Sequence, residues 1–323
     1  MRIGKLTNEQ LDRLILEKLV HTRDEVICAP SVGVDCTAVS FGDGIAVLSC
    51  DPITAAEKGI GRLTVNVSCN DAAAAGAEPI GLMLTLLLPP TVEEEDVGKL
   101  MDEVLEAAKL ANVDIIGGHT EITNSVNRIV TCATVIAKPV TGGVITPQGI
   151  MSGDDIVMTK HAGLEGAMLL AQKAPKGVLA DEEYEEVLGF ANCTSVVREG
   201  LFAAAHGAHA MHDVTEGGIL GALWEMCKAS AKSIKFERKR VSMHRLTKKL
   251  SRYFGIDPYK LISSGCMLIA VQDGKKLKRE LKAIGIDSAV IGRAFDSDGS
   301  AEVFDENGVM IDPPGADEIY KVC

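Results

Sequence analysis

The sequence predicts an α+β chain of two domains, and three observations carry that expectation. At 323 residues the chain is longer than one ordinary hydrophobic core. Strand-like runs alternate with helix-period segments in both halves. At KPVTGGVITPQGIMSGDD the composition shifts to glycine, proline and polar residues and a fresh alternation begins, which places a boundary near Gly149, between residues 1–149 and 150–323. Aromatic residues make up only 4% of the chain, so the core must be built from aliphatic side chains.

Taken in order, Thr7 and Gln10 form a capping-box pattern ahead of Leu11, Leu14, Ile15 and Leu19 on one helical face. VDCTAVSF and GIAVLSC, separated by Gly42-Asp43-Gly44, read as a hairpin. A helix of small residues follows over 63–75. IGLMLTLLLPP is too short for a membrane span and reads as a buried strand. Thr91 and Glu94 then cap a long helix whose apolar face includes Val97, Leu100, Val104, Leu105 and Ala108. VDIIGG and RIVTCATVIA supply two more strands. In the second half DIVMTK, AHAMHDV, CMLIAV and SAVIGRA read as strands, with helices over 165–172, 195–205 and 218–229.

Charge and composition narrow the function. A formal net charge of −12 repels polyphosphate backbones, and the one dense basic run, KSIKFERKR over 232–240, reads as a solvated edge, so no nucleic-acid partner is expected. No stretch of 18 apolar residues occurs, and residues 1–20 read as a charged amphipathic segment, so a cytoplasmic protein without a membrane span is expected. The nine cysteines are scattered with no CxxC pair, which suits reduced thiols. Cys69 and Cys266, in apolar settings, read as inert core thiols. In HGAHAMH a helix end at Gly207 scatters His206, His209 and His212, so His206 is read as complementing a helix C-terminus rather than joining a metal site. Ser263 and Ser264 stand where a turn starts a strand or where a cleft begins.

Asp35 in VGVDCTAV, Asp51 in LSCDPIT and Asp71 in VNVSCNDAAAAGAEP stand where strands stop or helices start. Taken singly, each fits a turn or a helix cap. Together, carboxylates from separate loops suit a magnesium ion on nucleotide phosphates, which takes one or two carboxylates and otherwise oxygen and water.

GVDCTAV, DPIT, VNVSCNDAAAAGAEP and IIGGHTEIT, in that order, resemble the N-terminal motifs of the superfamily that contains aminoimidazole ribonucleotide (AIR) synthetase, thiamine-monophosphate kinase, selenophosphate synthetase and hydrogenase-maturation HypE proteins. SGDDIVMTKHAGLEGAMLLA resembles the opening of its C-terminal domain and MHDVTEGGILGAL its later Asp-x-Thr-x-Gly-Gly element, so the resemblance covers nearly the whole chain. It implies ATP and Mg2+ as cofactors, an N-terminal domain whose sheets join two copies into a dimer barrel and hide IGLMLTLLL, and a C-terminal α/β sandwich. By the same matching, Asp35, Asp51 and Asp71 are expected as metal or phosphate ligands. Asn70 is expected to bond the nucleotide or position its helix, while the neighbouring alanines permit close backbone approach. Gly117, Gly118 and Thr120 are expected in a phosphate-side loop, and Asp213, Gly217 and Gly218 are expected to face the cleft from the second domain. His119 replaces the aspartate of HypE and thiamine-phosphate kinases, and either donates to phosphate or packs.

Within that superfamily DPITAAEKGIG lacks the Gly-Val-Gly-Thr-Lys segment of AIR synthetases, and the first cysteine, Cys28, has the wrong spacing for a selenophosphate synthetase. Ser68-Cys69-Asn70-Asp71 is nearer to HypE than to the Asn-Leu-Ser-Asp of thiamine-phosphate kinases. HypE proteins carry a carbamoyl group on a C-terminal cysteine and dehydrate it with ATP to a thiocyanate. The resemblance therefore implies Cys323 as carrier, Glu121 or Glu216 as base, and a HypF-type carbamoyltransferase as partner, although the tail reads DEIYKVC where HypE proteins end Pro-Arg-Ile-Cys. Two alternatives stay open: a HypE-like paralogue acting on a small molecule in the manner of AIR synthase or thiamine-monophosphate kinase, and a non-catalytic protein that binds nucleotide or a partner.

Overall fold

Alternation of buried and exposed side chains along the strands builds two sheets, one in each half of the chain. The computed structural model describes residues 8–14, 16–18, 26–28, 31–34, 36–42, 44–54, 59–297 and 299–322; Asp35, Cys323, Thr7, Ile15 and Leu19 lie outside the described residues. The first half runs α1 (Asn8–Leu14), β1 (Val26–Cys28), β2 (Thr37–Phe41), β3 (Gly44–Ile53), α2 (Ile60–Ala74), β4 (Ala77–Leu88), α3 (Glu94–Ala111), β5 (Asp114–Ile122) and β6 (Val130–Pro139). Its six strands are ordered β1-β2-β3-β6-β4-β5, and only β4 and β5 run parallel. The expected hairpin is present, with Phe41 facing Gly44 across its turn.

The second half contains β7 (Asp155–Thr159), α4 (Leu164–Lys173), α5 (Asp181–Leu188), α6 (Val197–Ala205), β8 (Ala210–Asp213), α7 (Gly218–Ser230) and β9 (Lys232–Phe236), then α8 (Arg245–Phe254), β10 (Met267–Val271), α9 (Gly274–Ala283), β11 (Ser288–Asp296), β12 (Val303–Phe304) and β13 (Met310–Ile311). These strands form a seven-stranded sheet in the order β13-β12-β9-β11-β7-β10-β8. The chain is thus α+β in both halves.

Several local expectations are corrected. The N-cap of α3 is Glu93, not Thr91; it makes no side-chain cap bond, and the first-turn acids Glu94, Glu95 and Asp96 complement the helix dipole instead. Leu105 is exposed, and Ala107 is buried in the face it was expected to share. The strand β4 is buried on one side only: Leu82, Leu84, Leu86 and Leu88 pack into the core while Met83 is half exposed. The basic run is no edge. Ser233, Ile234 and Phe236 are buried in β9, which lies between β11 and β12, and the exposed Lys235 alternates with them.

Helix α2 is buried almost all round, as its small side chains require. It packs on β3, β4 and β6 on one side and against α3 and α6 on the others. A Cβ at Gly200 of α6 would lie 2.5 Å from the Ala73 carbonyl oxygen, so the two halves meet backbone to backbone at the alanine run.

Candidate functional site

The first acidic pair assembles on β3 and α2. Ser49 and Asp51 are two apart on one strand and share its α2-facing side. Ser49 Oγ donates to Asp71 Oδ2 at 2.5 Å and lies 3.4 Å from Asp51 Oδ2, so a single hydroxyl draws two carboxylates together. Asp71 is buried at 5% exposure. It lines a small, half-open recess with Cys36, Thr146, Met211 and His212. Cys36 follows Asp35 in sequence, and Met211 and His212 belong to β8, the strand that ends at the buried Asp213. Asp71 and β8 therefore meet across the junction of the two halves.

Asn70, the other member of the pair, faces away from that space. Its Nδ2 donates to Thr194 O at 2.8 Å and its Oδ1 accepts from Val196 N at 2.7 Å. Asn66, one turn earlier, donates to Thr194 Oγ1 at 2.8 Å. Lys160 donates to Ser195 O and pairs with Glu199 Oε1 at 2.6 Å. The segment 194–196 is thus gripped from both halves, and of the two roles expected for Asn70, positioning the helix is the one these bonds perform.

A second acidic group forms at the turn before α7. Asp317 Oδ2 accepts from Gly217 N at 2.6 Å, and Tyr320 Oη donates to Glu216 Oε1 at 2.7 Å. Glu318 accepts from Asp257 N at 3.2 Å. The C-terminal segment is therefore laid onto the Glu216-Gly217 turn. Burial pushes Asp317 up to about 6 against the backbone N–H groups that hold it, and pushes the buried Glu165 up to about 7 against its bond to Ser264. Glu165 Oε2 has no hydrogen-bond partner among the described residues. Burial and Glu216 both raise the Tyr320 hydroxyl, which keeps it a donor.

The remaining expected site residues lie elsewhere. Gly117, Gly118, His119, Thr120 and Glu121 are inside β5, an edge strand, not in a loop. A Cβ at Gly118 would lie 1.8 Å from Leu84 O, so close strand packing against β4 accounts for that glycine. His119 and Glu121 are exposed and 3.7 Å apart, and β4 and β6 separate them from β3, a spacing of roughly 14 Å. Glu216 touches the tail, whereas Glu121 does not share its neighbourhood. Gly218 is the first residue of α7.

His206 does cap its helix, with Nδ1 2.7 Å from Phe202 O, while His209 pairs with Asp154 and His212 with Glu225. Ser263 accepts from Gly163 N at 2.7 Å at the start of α4 and so serves a helix start, whereas Ser264 bonds Glu165. The Cys69 and Cys266 thiols are pushed up to about 12 by burial, as inert core thiols are. Ser49 was missed by sequence reasoning, although its two-residue spacing from Asp51 was a usable signal. Nothing local signalled Tyr320, whose partner is 104 positions away.

Two family models match the chain: the N-terminal domain of AIR synthase related proteins over residues 33–138, and the C-terminal domain over residues 152–305. The chain belongs to the AIR synthase related protein family. A putative hydrogenase expression/formation protein of Methanocaldococcus jannaschii is 26% identical over 99% of this chain and 97% of its own length. The carbamoyl dehydratase HypE of Rhodobacter capsulatus is 24% identical over 73% of this chain and 69% of its own. Among solved structures, HypE in a HypE–HypF complex superposes with a TM-score of 0.76 at 20% identity, covering 94% of this chain and 99% of that one. A HypE in complex with ATP gives 0.74 at 17% identity, covering 99% and 98%, and AaThiL complexed with AMPPCP and TMP gives 0.78 at 17%, covering 98% and 99%. In this AIR synthase related chain the family match includes Asp51, Asp71, Asp213 and Glu216 but ends before Asp317 and Tyr320.

Proposed function

We propose that this chain is a HypE-like, ATP- and Mg2+-dependent enzyme of hydrogenase maturation that dehydrates a carbamoyl group carried on Cys323 to a thiocyanate. The observation that carries the reading is the docking of the C-terminal segment on the Glu216-Gly217 turn, because Cys323 stands three residues beyond Tyr320 and the chain reaches about 10 Å in that distance. The names of its relatives support the same reading: hydrogenase expression/formation protein and carbamoyl dehydratase HypE.

In this reading residues 1–149 bind the nucleotide and form a homodimer through the open face of β4, and residues 150–323 carry the tail. Asp51 and Asp71 would hold the magnesium, since two carboxylates drawn to one hydroxyl form an oxygen-only donor pair, with Asp35 as a third ligand; the ion would neutralise charge on the transferred phosphoryl group. Asn70 keeps Asp71 in place by anchoring α2 to the segment 194–196. Glu216 removes the amide proton as the oxygen of the carbamoyl group becomes a leaving group. Asp213 bounds the cleft from the second half. A HypF-type carbamoyltransferase supplies the carbamoyl group, as the pairing in the HypE–HypF complex suggests.

The test is intact-mass analysis of the full chain with Mg-ATP, carbamoyl phosphate and a HypF-type enzyme, beside a Cys323→Ala control. A gain of about 43 Da that falls to about 25 Da as ATP is consumed, absent from the control, is the expected result. An unchanged mass with bound ATP would sink the terminal-cysteine reading.

A further inference from the structure

Helix α8 carries a cationic stripe on a chain whose net charge is −12. Leu246, Thr247, Leu250 and Ser251 are buried, so Arg245, Lys248, Lys249 and Arg252, at helical spacings of three and four, face outward along about 10 Å of helix. With the loop that follows α4, the stripe walls an open groove of about 800 Å³. Lys176 adds a fifth cation from that loop, while Val178 and the half-exposed Tyr253 ring give the groove an apolar strip. The stripe consists of two parallel rows. The acidic helix α5 takes one of them: Arg245 spans Glu183 and Glu186, and Lys249 pairs with Glu183 at 2.5 Å. The adjacent row, Lys248 and Arg252, and Lys176 across the groove make no ion pair with a described residue.

We propose that this groove docks an acidic segment of a partner protein, with its carboxylates on Lys176, Lys248 and Arg252 and its apolar side chains on Val178 and Tyr253. The chain's own α5 supplies the pattern, since carboxylates three residues apart on one helix meet the neighbouring row of the same stripe. The Arg252 guanidinium, a planar fork, fits a carboxylate with two parallel hydrogen bonds, and the lysines add charge on either side. Exposed ion pairs steer and orient more than they bind, so the affinity comes with burial of the apolar strip. That strip favours a peptide over a bare polyanion. A nucleic acid would also extend past the groove onto a surface whose net charge repels it, whereas a short acidic segment touches the groove alone. Docking here requires neither bound nucleotide nor a modified Cys323, so it stands or falls apart from the proposed reaction.

The experiment titrates a fluorescent peptide of repeated Glu-Glu-Leu with the full-length chain and reads anisotropy, beside a peptide of repeated Gln-Gln-Leu. Expected is saturable binding of the acidic peptide alone, weakening as salt is added. Lys248→Glu with Arg252→Glu should lower the affinity by about tenfold or more. Lys235→Glu with Lys275→Glu changes the net charge equally at exposed lysines elsewhere and should leave it unchanged. Circular dichroism checks that both double variants are folded, and the milder Lys248→Gln with Arg252→Gln should give an intermediate loss. Absence of binding, or an equal loss in the two charge-reversed variants, would overturn the proposal. Equal binding of the glutamine peptide would show that carboxylates are not recognised and would overturn it too. Displacement of the acidic peptide by tripolyphosphate or a single-stranded oligonucleotide at lower concentration than by unlabelled peptide would make the groove a phosphate site instead.

Discussion

The two acidic groups of the chain each combine buried and half-buried carboxylates, and they are suited to opposite tasks. Asp51 and Asp71 meet around the Ser49 hydroxyl, an oxygen-only arrangement of the kind a hard cation takes. Glu165, Glu216 and Asp317 lie beside the C-terminal segment, and burial raises Glu165 to about 7 and Asp317 to about 6. At the second group burial outweighs the hydrogen bonds that each carboxylate accepts, and the balance favours the proton.

The largest expected effect breaks the comparison directly. Asp71→Asn keeps the shape and the Ser49 contact but removes the charge, so ATP turnover should fall by about 100-fold with the fold intact. Glu165→Gln should change turnover far less, because burial already shifts that carboxyl toward its neutral form, up to about 7. Kinetics of the two variants side by side checks this, and an equal loss in both would erase the distinction between the groups.

The second prediction concerns pH. A carboxyl whose folded value is raised binds its proton more tightly in the folded chain than in the unfolded one. For Glu165, stability is therefore highest below the ordinary value of 4.5, falls as pH rises toward about 7, and levels off above it. Asp317 adds the same sign between 3.8 and about 6. The Glu165 contribution is on the order of 3 kcal/mol across its window. Urea unfolding at pH 5 and pH 8 should show the wild-type chain losing stability over that interval and Glu165→Gln losing much less. A wild-type chain that gains stability over the same interval would contradict the assignment.

The same contrast governs how much the sequence disclosed. Asp51 and Asp71 were legible because each sits within a few residues of a strand or helix boundary that period and small-residue runs already mark. Their company was not. Ser49 needed the face of β3, and the role of Asn70 needed Thr194 and Val196, over 120 positions away. The helices α5, α8 and α9 escaped because DEEYEEVL, RLTKKLSRYF and GKKLKRELKA carry so many charges that their thin apolar stripes of Leu, Val and Phe are hard to see. Gly118 of β5 misled in the other direction, since a glycine that looks like part of a loop is also what a close strand contact needs. The second acidic group lay furthest from view, because its members at 165, 216 and 317 are far apart in sequence and meet through the fold.

That tail gives the smallest and most discriminating effect. Tyr320→Phe keeps the ring and removes the bond to Glu216, which should weaken docking of the segment by about 1 kcal/mol. The lost bond corresponds to about a fivefold rise in the released fraction. The core should barely change, because Asp317 keeps its bonds to Gly217 N and Ile319 N. Alkylation of Cys323 by iodoacetamide should therefore speed up by about the same factor while the melting temperature stays nearly constant. An unchanged alkylation rate would mean that Glu216 holds Tyr320 without controlling the residues beyond it, and the contact would then be purely structural.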